Sequence, residues 1–411
     1  MGGLSQGAGP ALRIPPPAFL ADPRLRAVLA ALPNSRVVGG AVRDALAGRR
    51  VADIDLATPC LPDATARALT QAGIRAVPTG LAHGTVTAVV GGRGFEVTTL
   101  RRDVQTDGRH ASVAFTDDWR ADAARRDFTI NAMSMTDDGA VFDYFGGIAD
   151  LRAGMVRFVG PPATRIAEDY LRILRFFRFH AAYGAGAPDP ATLAAIRDGV
   201  AGLAILSVER VWSELQRILA APDPAGAVAL MAELGVLAGV LPEGADPRIL
   251  ARLVADSAPA DPVLRLAALL TGDAAALASR LRLSTAEHER LVALRGLPVP
   301  SPDADEDELR RLLADHDPDI LIGRAWLAAS QAPSLDAPSL DTPSWSQLRA
   351  RLAAMPRIVF PLAGRDALAL GVAPGPAIGA LLRDIRGWWL AGGCHADAPA
   401  CRAELARRAG G

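Results

Sequence analysis

The chain has 411 residues, half of them hydrophobic, and a formal net charge of −1. This length predicts two to four domains, and no apolar run is long enough for a membrane span. All 44 basic residues are arginine, which excludes a Walker-A lysine, a Schiff-base lysine and a lysine general acid. The three cysteines form no C-x-x-C motif, and the N-terminus lacks the apolar core of a signal peptide. We therefore expect a cytoplasmic protein without a disulfide framework or a zinc site.

The N-terminal part of the chain, up to about residue 150, mixes strand and helix patterns. Residues 1–18 are rich in glycine and proline and are predicted to be disordered. The first predicted elements are strand 35–38, helix 41–47 and strand 51–56. Gly39 and Gly40 would then form a tight strand-to-helix turn, and Gly48 would end the helix.

Asp53 and Asp55 lie one residue apart on the second predicted strand. Side chains at i and i+2 of a strand point to the same face, so the two carboxylates would stand roughly 7 Å apart at Cα. Like charges this close repel unless a cation lies between them, and Mg²⁺ prefers oxygen ligands. The pattern therefore predicts a Mg²⁺ site, although an isolated D-x-D pair is more often a pair of solvated acids.

The glycine turn at residues 39–40 predicts a phosphate site beside the predicted Mg²⁺ site. Free N–H groups at the turn and the dipole of the following helix favour a phosphate, and Arg43 adds a bidentate donor. A lone Gly-Gly is usually only a turn. Its spacing from the two aspartates nevertheless favours metal-assisted transfer at phosphorus, with Gly39, Gly40 and Arg43 beside the phosphates.

A small sheet with helices on it, an α+β layer, is predicted for the rest of the N-terminal part. Its further elements are helix 61–73, strands 84–90 and 94–100, and a short strand with a turn at 141–147. Glu96 is a candidate third carboxylate near the metals, and a structural role for it is equally open. Residues 101–112 are polar and turn-rich, which is the profile of a mobile loop.

The run ARRDFTINAMSM places Arg125, Arg126 and Asp127 before an apolar helix that carries Asn131. We expect residues 122–135 to begin helically. By itself, this cluster is typical of a charged helix start with a structural role.

Beyond residue 160 the pattern is helical. Thr164 is predicted to cap a helix over residues 164–183 that Gly184 closes, and Ser207 to cap the next helix. Alanine- and leucine-rich helices follow over roughly 225–296. A low-complexity segment near 331–346 is predicted to be a linker.

Asp169 and Arg172 are neighbours on the predicted helix, because three residues fall about 60° short of a full turn. A carboxylate accepts from an exocyclic amine, and a guanidinium donates to a ring nitrogen or carbonyl oxygen. Cytosine and adenine offer the amine, whereas guanine and uracil present an oxygen, so the pair would accept CTP and ATP. Arg175 and Arg178, further round the helix, suit phosphates or RNA. The alternative is a solvated face with an i,i+3 ion pair.

Seven short runs occur in one order over roughly residues 36–220: GGAVRD with DID, HGTVT, FEVTTLR, RRDFTINA, DYFGG, EDYLRILRFFR and LSVERVWSEL. This ordered set resembles the class II tRNA nucleotidyltransferase and bacterial poly(A) polymerase family, and looks most like its CCA-adding members. The resemblance implies a polymerase-β-like α+β head, a small sheet plus helices, followed by an all-helical neck, body and tail. The implied ranges are 19–155 for the head, 156–222 for the neck, 223–300 for the body and 301–411 for the tail.

The resemblance also implies an activity, the addition of C, C and A to the 3′ end of tRNA from CTP and ATP. Transfer would be a two-metal reaction that releases pyrophosphate, with Mg²⁺ on Asp53 and Asp55 and no membrane or protein partner. The implied nucleotide-binding residues are Gly39, Gly40, Arg43, Arg126, Asp127, Asn131, Asp169, Arg172, Arg175 and Arg178. The segment 101–112 corresponds to the element associated with the switch from C to A addition.

Three alternatives stay open at this point. The nearest is a poly(A) polymerase on the same fold, which the absence of a strongly basic C-terminal extension disfavours. A CC-adding or A-adding specialist is the second. The third, from another class, is a catalytically silent RNA-binding module, which the intact Asp53 and Asp55 pair disfavours.

Overall fold

The computed structural model describes residues 9–80, 84–106, 111–331 and 343–409. The chain divides into two compact units, Met1–Pro222 with Leu230–Val240, and Asp223–Ala229 with Leu241–Gly411. The first unit contains the predicted head and neck together, and the domain boundaries at residues 155 and 300 stay predictions. No helix in the described ranges is both long and apolar enough to cross a membrane.

A mixed sheet of eight strands forms the core of the first unit, and two further strands pair with each other. The strands are β1 (Leu12–Arg13), β2 (Arg36–Val38), β3 (Asp55–Thr58), β4 (Arg75–Gly80), β5 (Thr85–Val90), β6 (Arg93–Thr99), β7 (Arg101–Thr106), β8 (Ala111–Phe115), β9 (Ser134–Met135) and β10 (Ala140–Phe142). The order in the large sheet is β1-β10-β9-β2-β3-β6-β5-β4, in which β3 and β6 are parallel. The strands predicted at 35–38, 84–90 and 94–100 are thus confirmed to within a residue or two at each end.

Helices cover one face of this sheet. The helices of the first unit begin with α1 (Pro23–Ala31), α2 (Gly40–Leu46), α3 (Pro62–Gln71), α4 (Trp119–Ala124) and α5 (Gly147–Arg152). Leu25 of α1, Val42 of α2 and Leu69 of α3 are fully buried in one apolar cluster with Leu56 of β3 and Val97 of β6. Because side chains alternate along a strand, the residues between these core positions face the opposite side of the sheet. That side carries Asp55 and Glu96.

Two segments differ from the sequence-based expectation. Leu12 and Arg13 form the edge strand β1, which pairs with β10, although residues 1–18 were expected to be disordered. Residues 101–106 and 111–115 form the antiparallel hairpin β7–β8, although a loop was expected over 101–112. Residues 107–110 of that expected loop, and residues 332–342 of the expected linker, lie outside the described residues.

The neck is helical, as predicted, but its first helix is divided. Its helices are α6 (Pro162–Glu168), α7 (Leu171–Tyr183), α8 (Pro190–Gly199) and α9 (Val208–Leu219). Beyond residue 222 follow α10 (Ala225–Glu233, shared by the two units) and α11 (Val236–Val240). The predicted helix over 164–183 is broken because Asp169 has extended backbone, and Thr164 lies inside α6 rather than at its cap. Phe128 of the head packs against Phe158 and Phe179, with ring centroids 4.8 and 5.3 Å apart. These aromatic contacts hold α7 against the head.

The second unit is helical throughout its regular elements. Its helices are α12 (Pro247–Ala255), α13 (Pro262–Leu269), α14 (Ala274–Arg280), α15 (Thr285–Arg295), α16 (Glu306–Asp315), α17 (Pro318–Ser330), α18 (Pro343–Ala354), α19 (Gly364–Ala369), α20 (Pro376–Ala391) and α21 (Ala398–Ala409). Leu309, Leu321, Leu348, Ile385 and Leu405 share one buried core. An α+β head followed by helices is therefore confirmed as the fold class.

The start of α5 leaves no room for a side chain at residue 147. A Cβ on Gly147 would lie 2.2 Å from the backbone oxygen of Thr129, so Gly147→Ala must shift the backbone. We expect a loss of about 1–3 kcal/mol in the free energy of unfolding, the usual cost of overpacking. Urea unfolding measures it, with Gly186→Ala as the control, because a Cβ there meets nothing within 4 Å. Equal midpoints for the two variants would contradict the prediction.

Candidate active site

A cavity of about 640 Å³ opens in the first unit, between the turn at Gly39, the carboxylate of Asp55 and the helix α7. Most of the residues predicted from the sequence line it: Gly39, Gly40, Arg43, Asp55, Arg126, Asp127, Asn131, Asp169, Arg172 and Arg175. Asp53, Glu96 and Arg178 are not among the lining residues. The sequence analysis did not assign five others that line it: Arg101, Arg125, Leu171, Phe179 and Arg210.

The glycine turn brings the backbone close to an arginine. Gly39 has a positive φ of 68°, between the end of β2 and the start of α2. A Cβ at this position would lie 2.9 Å from Nη1 of Arg126, so only glycine lets that guanidinium reach the turn. Because α2 has only seven residues, the arginines contribute more positive charge here than the helix dipole does.

The carboxylates occupy the open face of the sheet. Asp55 is the first residue of β3 and is paired in parallel register with Glu96 of β6, so the two side chains share a face. Asp53 precedes the strand, which begins at residue 55 rather than at the predicted residue 51. Ile54 and Leu56 are nevertheless buried while the two aspartates are open to solvent, as the predicted alternation requires.

The electrostatics of Asp55 fit a cation. Partial shielding from water in the cavity, together with the charges of Glu96 and Asp53, raises the pKa of Asp55, against the opposing charge of Arg126. A bound cation would relieve this repulsion. No cluster of three or more acidic, histidine or cysteine side chains in the described ranges is placed to hold a metal alone.

The RRD segment, residues 125–127, was predicted to start a helix, and this prediction is wrong. The segment follows the short helix α4 and precedes a single 3₁₀ turn at Thr129–Asn131. Buried Asp122 accepts from Nε of Arg125 at 2.8 Å and from Nη2 of Arg126 at 3.4 Å. Nη1 of Arg126 reaches the backbone oxygen of Asn131 at 3.4 Å. Both arginines are therefore held at the cavity wall by one carboxylate.

Asp127 is buried at the back of the cavity and is surrounded by donors. It accepts from the backbone N–H of Phe128 at 2.8 Å, from Nδ2 of Asn131 at 3.0 Å and from Nε of Arg175 at 2.7 Å. Burial alone would raise the pKa of Asp127, but Arg175 and these hydrogen bonds hold it below its usual value. The other end of the Asn131 amide, Oδ1, accepts from Nη1 of Arg43 at 2.6 Å. A continuous polar chain thus runs from Arg43 through Asn131 and Asp127 to Arg175.

Asp169 and Arg172 both line the cavity, but they do not form the ion pair that was the alternative expectation. Asp169 accepts from the backbone N–H of Leu171 at 3.1 Å and from Nη2 of Arg210 at 2.7 Å. Arg172 is bound by Glu168 and donates to the backbone oxygen of Arg165 at 2.7 Å. Each member of the pair therefore has its own support, and neither neutralises the other.

Arg178 shares the partners Glu214 and Phe179 with Arg175 but, unlike Arg175, does not line the cavity. It donates to buried Glu214 of α9 at 3.3 Å and lies 4.4 Å from the ring centre of Phe179. Its assignment to nucleotide binding stays a prediction. Arg210 could have been found only through the run LSVERVWSEL, since nothing in its own spacing links it to Asp169, 41 residues earlier.

With this geometry, comparison with known proteins is informative. The chain matches the family profiles described as "Poly A polymerase head domain" over residues 35–157 and "Probable RNA and SrmB- binding site of polymerase A" over residues 187–246. It is 38% identical over 369 residues to "CCA tRNA nucleotidyltransferase 1, mitochondrial" of Danio rerio, covering 86% of this chain and 83% of that protein. The human protein of the same name is also 38% identical, over 366 residues.

Solved structures give the same result. The Bacillus stearothermophilus CCA-adding enzyme in complex with CTP superposes with a TM-score of 0.72 at 27% identity, covering 94% of this chain and 98% of that one. The chain belongs to the tRNA nucleotidyltransferase and poly(A) polymerase family. It is a nucleotidyltransferase, and enzymes of this family depend on a metal.

Replacing Gly39 tests the close approach of the turn to Arg126. We expect Gly39→Ala to lower the kcat/KM for nucleotide at least tenfold, because its Cβ displaces that guanidinium. The matched control is Gly48→Ala, which also has a positive φ, 66°, but whose Cβ meets nothing within 4 Å. Both variants place a Cβ on backbone with positive φ, and Gly39→Ala should be the less stable, because its ψ of −125° lies outside the left-handed helical region. Equal turnover by the two variants would contradict the role given to Gly39.

Proposed function

We propose that this enzyme adds C, C and A to the 3′ end of tRNA, using CTP and ATP and releasing pyrophosphate. The observation that carries the proposal is that Asp169 and Arg172 line the same cavity as Asp55 and the Gly39–Gly40 turn. A base-reading pair and a phosphate-binding turn thus face one nucleotide-sized space. The CCA-adding names of the relatives support the same assignment.

Base selection follows from the hydrogen-bonding groups of the pair. A carboxylate has about four lone-pair sites, and the contacts with Leu171 and Arg210 leave acceptor capacity on Asp169 for an exocyclic amine. Arg172 would donate to the adjacent ring nitrogen. Cytosine and adenine satisfy both groups, whereas guanine and uracil set an oxygen against the carboxylate.

The transfer step needs the 3′ oxygen of tRNA to attack the α-phosphorus in line while the bond to the β-phosphate breaks. Asp53 and Asp55 would bind Mg²⁺, with Glu96 as a third carboxylate. When bound by these carboxylates, as the proposed two-metal reaction requires, Mg²⁺ would lower the pKa of the attacking hydroxyl and neutralise negative charge on the triphosphate. Gly39, Gly40, Arg43, Arg126 and Arg175 would bind the rest of the nucleotide, and their fixed positions remove the need to reorganise during the reaction.

The hydrogen bonds that hold the arginines in place fit the roles proposed for them. Asp127 and Asn131 have their hydrogen-bonding groups directed to Arg175 and Arg43, so they would act by holding those two arginines toward the nucleotide. Arg178 would contribute positive charge behind Arg175.

We propose a cytoplasmic location, which the free cysteines Cys60, Cys394 and Cys401 support as a mark of a reducing compartment, although the vertebrate relatives are named mitochondrial.

Incubation with tRNA that lacks its last three nucleotides tests the function directly. We expect two C with CTP alone, no addition with ATP alone, and C, C and A followed by arrest with both. Chelation of divalent metal, and Asp53→Asn, should abolish C and A addition alike, because the carboxylates serve the chemistry and not base choice. An unlimited A tail would indicate a poly(A) polymerase, and arrest after two C with both nucleotides present a CC-adding enzyme. Addition of A only to tRNA that already ends in CC would indicate an A-adding enzyme, and no incorporation on either tRNA an RNA-binding module.

Arg172→Ala tests the base-reading pair. Discrimination of CTP and ATP against GTP and UTP should fall about tenfold or more, the usual value of a bidentate contact. Single-nucleotide incorporation with each of the four triphosphates measures it. Arg197→Ala is the control, an exposed arginine on α8 of the same unit. Unchanged selectivity in a folded Arg172→Ala protein would refute the pair.

A further inference from the structure

Arg43 is held from a direction that the proposed chemistry does not explain. Its guanidinium lies 4.5 Å from the ring centre of Tyr183 and 5.0 Å from that of Phe179, both on the last turns of α7. Cations over aromatic faces at this distance are attracted by the ring quadrupole. The side chain of Arg43 is 11% exposed, so these contacts, with those to Asn131 and Asp44, restrict where its remaining donors point.

Tyr183 has a second link to the same arginine. Its hydroxyl donates to Oδ1 of Asp44, and that oxygen also accepts from Nε of Arg43 at 2.9 Å. Burial, together with the Asp44 carboxylate, raises the pKa of Tyr183, so the phenol stays protonated and remains a donor at neutral pH. One carboxylate oxygen therefore joins α2 and α7 through an arginine and a tyrosine.

Arg49, from the segment that follows α2, makes further contacts with Tyr183 and with the residue before it. Its guanidinium lies 4.2 Å from the centre of the Tyr183 ring, and it donates to the backbone oxygen of Ala182. The end of α7 is thereby attached to the segment that follows α2. Tyr183 cannot leave Arg43 without breaking these contacts as well.

We infer that Tyr183, acting through Asp44, is a positioning residue that holds Arg43 toward the nucleotide phosphates. The inference rests on the proposed function, because it takes Arg43 as a phosphate-binding group. It adds a geometric consequence: Arg172 lies eleven residues before Tyr183 on the same helix, which separates them by about 16 Å along the axis. The helix α7 would set the distance between the base site and the phosphate site, since it holds a group at each.

Tyr183→Phe is the test, because it keeps the ring over Arg43 and removes only the hydroxyl. We expect the KM for CTP and for ATP to rise about fivefold, the usual net value of one intramolecular hydrogen bond. The kcat and the ratio of CTP to GTP use should change less than twofold. Tyr144→Phe is the control, since its hydroxyl accepts from Arg36 at 3.3 Å, outside the cavity lining. An unchanged KM in Tyr183→Phe, or an equal rise in the control, would overturn the inference.

A double-mutant cycle distinguishes positioning from loss of structure. If Tyr183 acts through Asp44, Asp44→Asn should raise the KM at least as much, and adding Tyr183→Phe to it should change the KM no further. Multiplied effects would mean that the two residues act independently and would refute the mechanism. If Tyr183→Phe fails to fold, Asp44→Asn alone should still raise the KM, and an unchanged KM in that variant would refute the route through Asp44.

Competition measurements separate this inference from the proposed function. Inorganic triphosphate can make the phosphate contacts but has no base, whereas cytidine can make the base contacts but has no phosphates. Tyr183→Phe should weaken binding of inorganic triphosphate about fivefold and leave binding of cytidine unchanged. These affinities need no tRNA acceptor, so they can be measured even if the wild-type enzyme does not add C, C and A. Equal weakening of both ligands would indicate a general loss of structure and would overturn the role of Tyr183.

Discussion

The buried charge of Asp127 is the constraint around which the cavity is built. A carboxylate that is only 8% exposed is costly unless donors surround it, and it takes them from a backbone N–H, from Arg175 and from Asn131. Because the amide of Asn131 must turn its Nδ2 toward this carboxylate, its Oδ1 faces the other way and accepts from Arg43. One desolvated charge thus orients two arginines that line the cavity.

The second organising element is α7, which contributes to both ends of that space. Its N-terminal turn carries Arg172 and its last turns carry the rings against Arg43, while Phe128 and its aromatic neighbours hold it to the head. A helix is stiff over this length, so base and phosphate contacts cannot drift apart independently. The proposed base contact and the proposed phosphate contact therefore depend on the same helix, although different residues would make them.

The sequence predicted short-range features well. The Gly39–Gly40 turn, the strand pairing around Glu96 and the alternation at Asp53 and Asp55 depend on backbone freedom and on the two-residue period of strands, both of which are local. The break at Asp169 was missed because the apolar pattern on both sides has a helical period. Its cause is tertiary: Arg210, from another helix, binds the Asp169 carboxylate, which also caps the N–H of Leu171. The hairpin β7–β8 was missed because a polar, turn-rich composition does not reveal which backbone groups pair.

Residue type and spacing were enough to predict metal-assisted transfer at phosphorus, because a carboxylate pair and a glycine turn are short-range patterns, and the ordered set of motifs then predicted the family. Residue type and spacing were not enough to predict which of the 44 arginines would bind substrate and which would neutralise buried acids, because the arginines look alike along the chain. Arg43 meets its partner Asn131 from 88 residues away, and Arg178 is held by Glu214 from 36 residues away. Whether a guanidinium binds a substrate phosphate or neutralises a buried acid depends on which elements the fold brings beside it, and that was decided by packing alone.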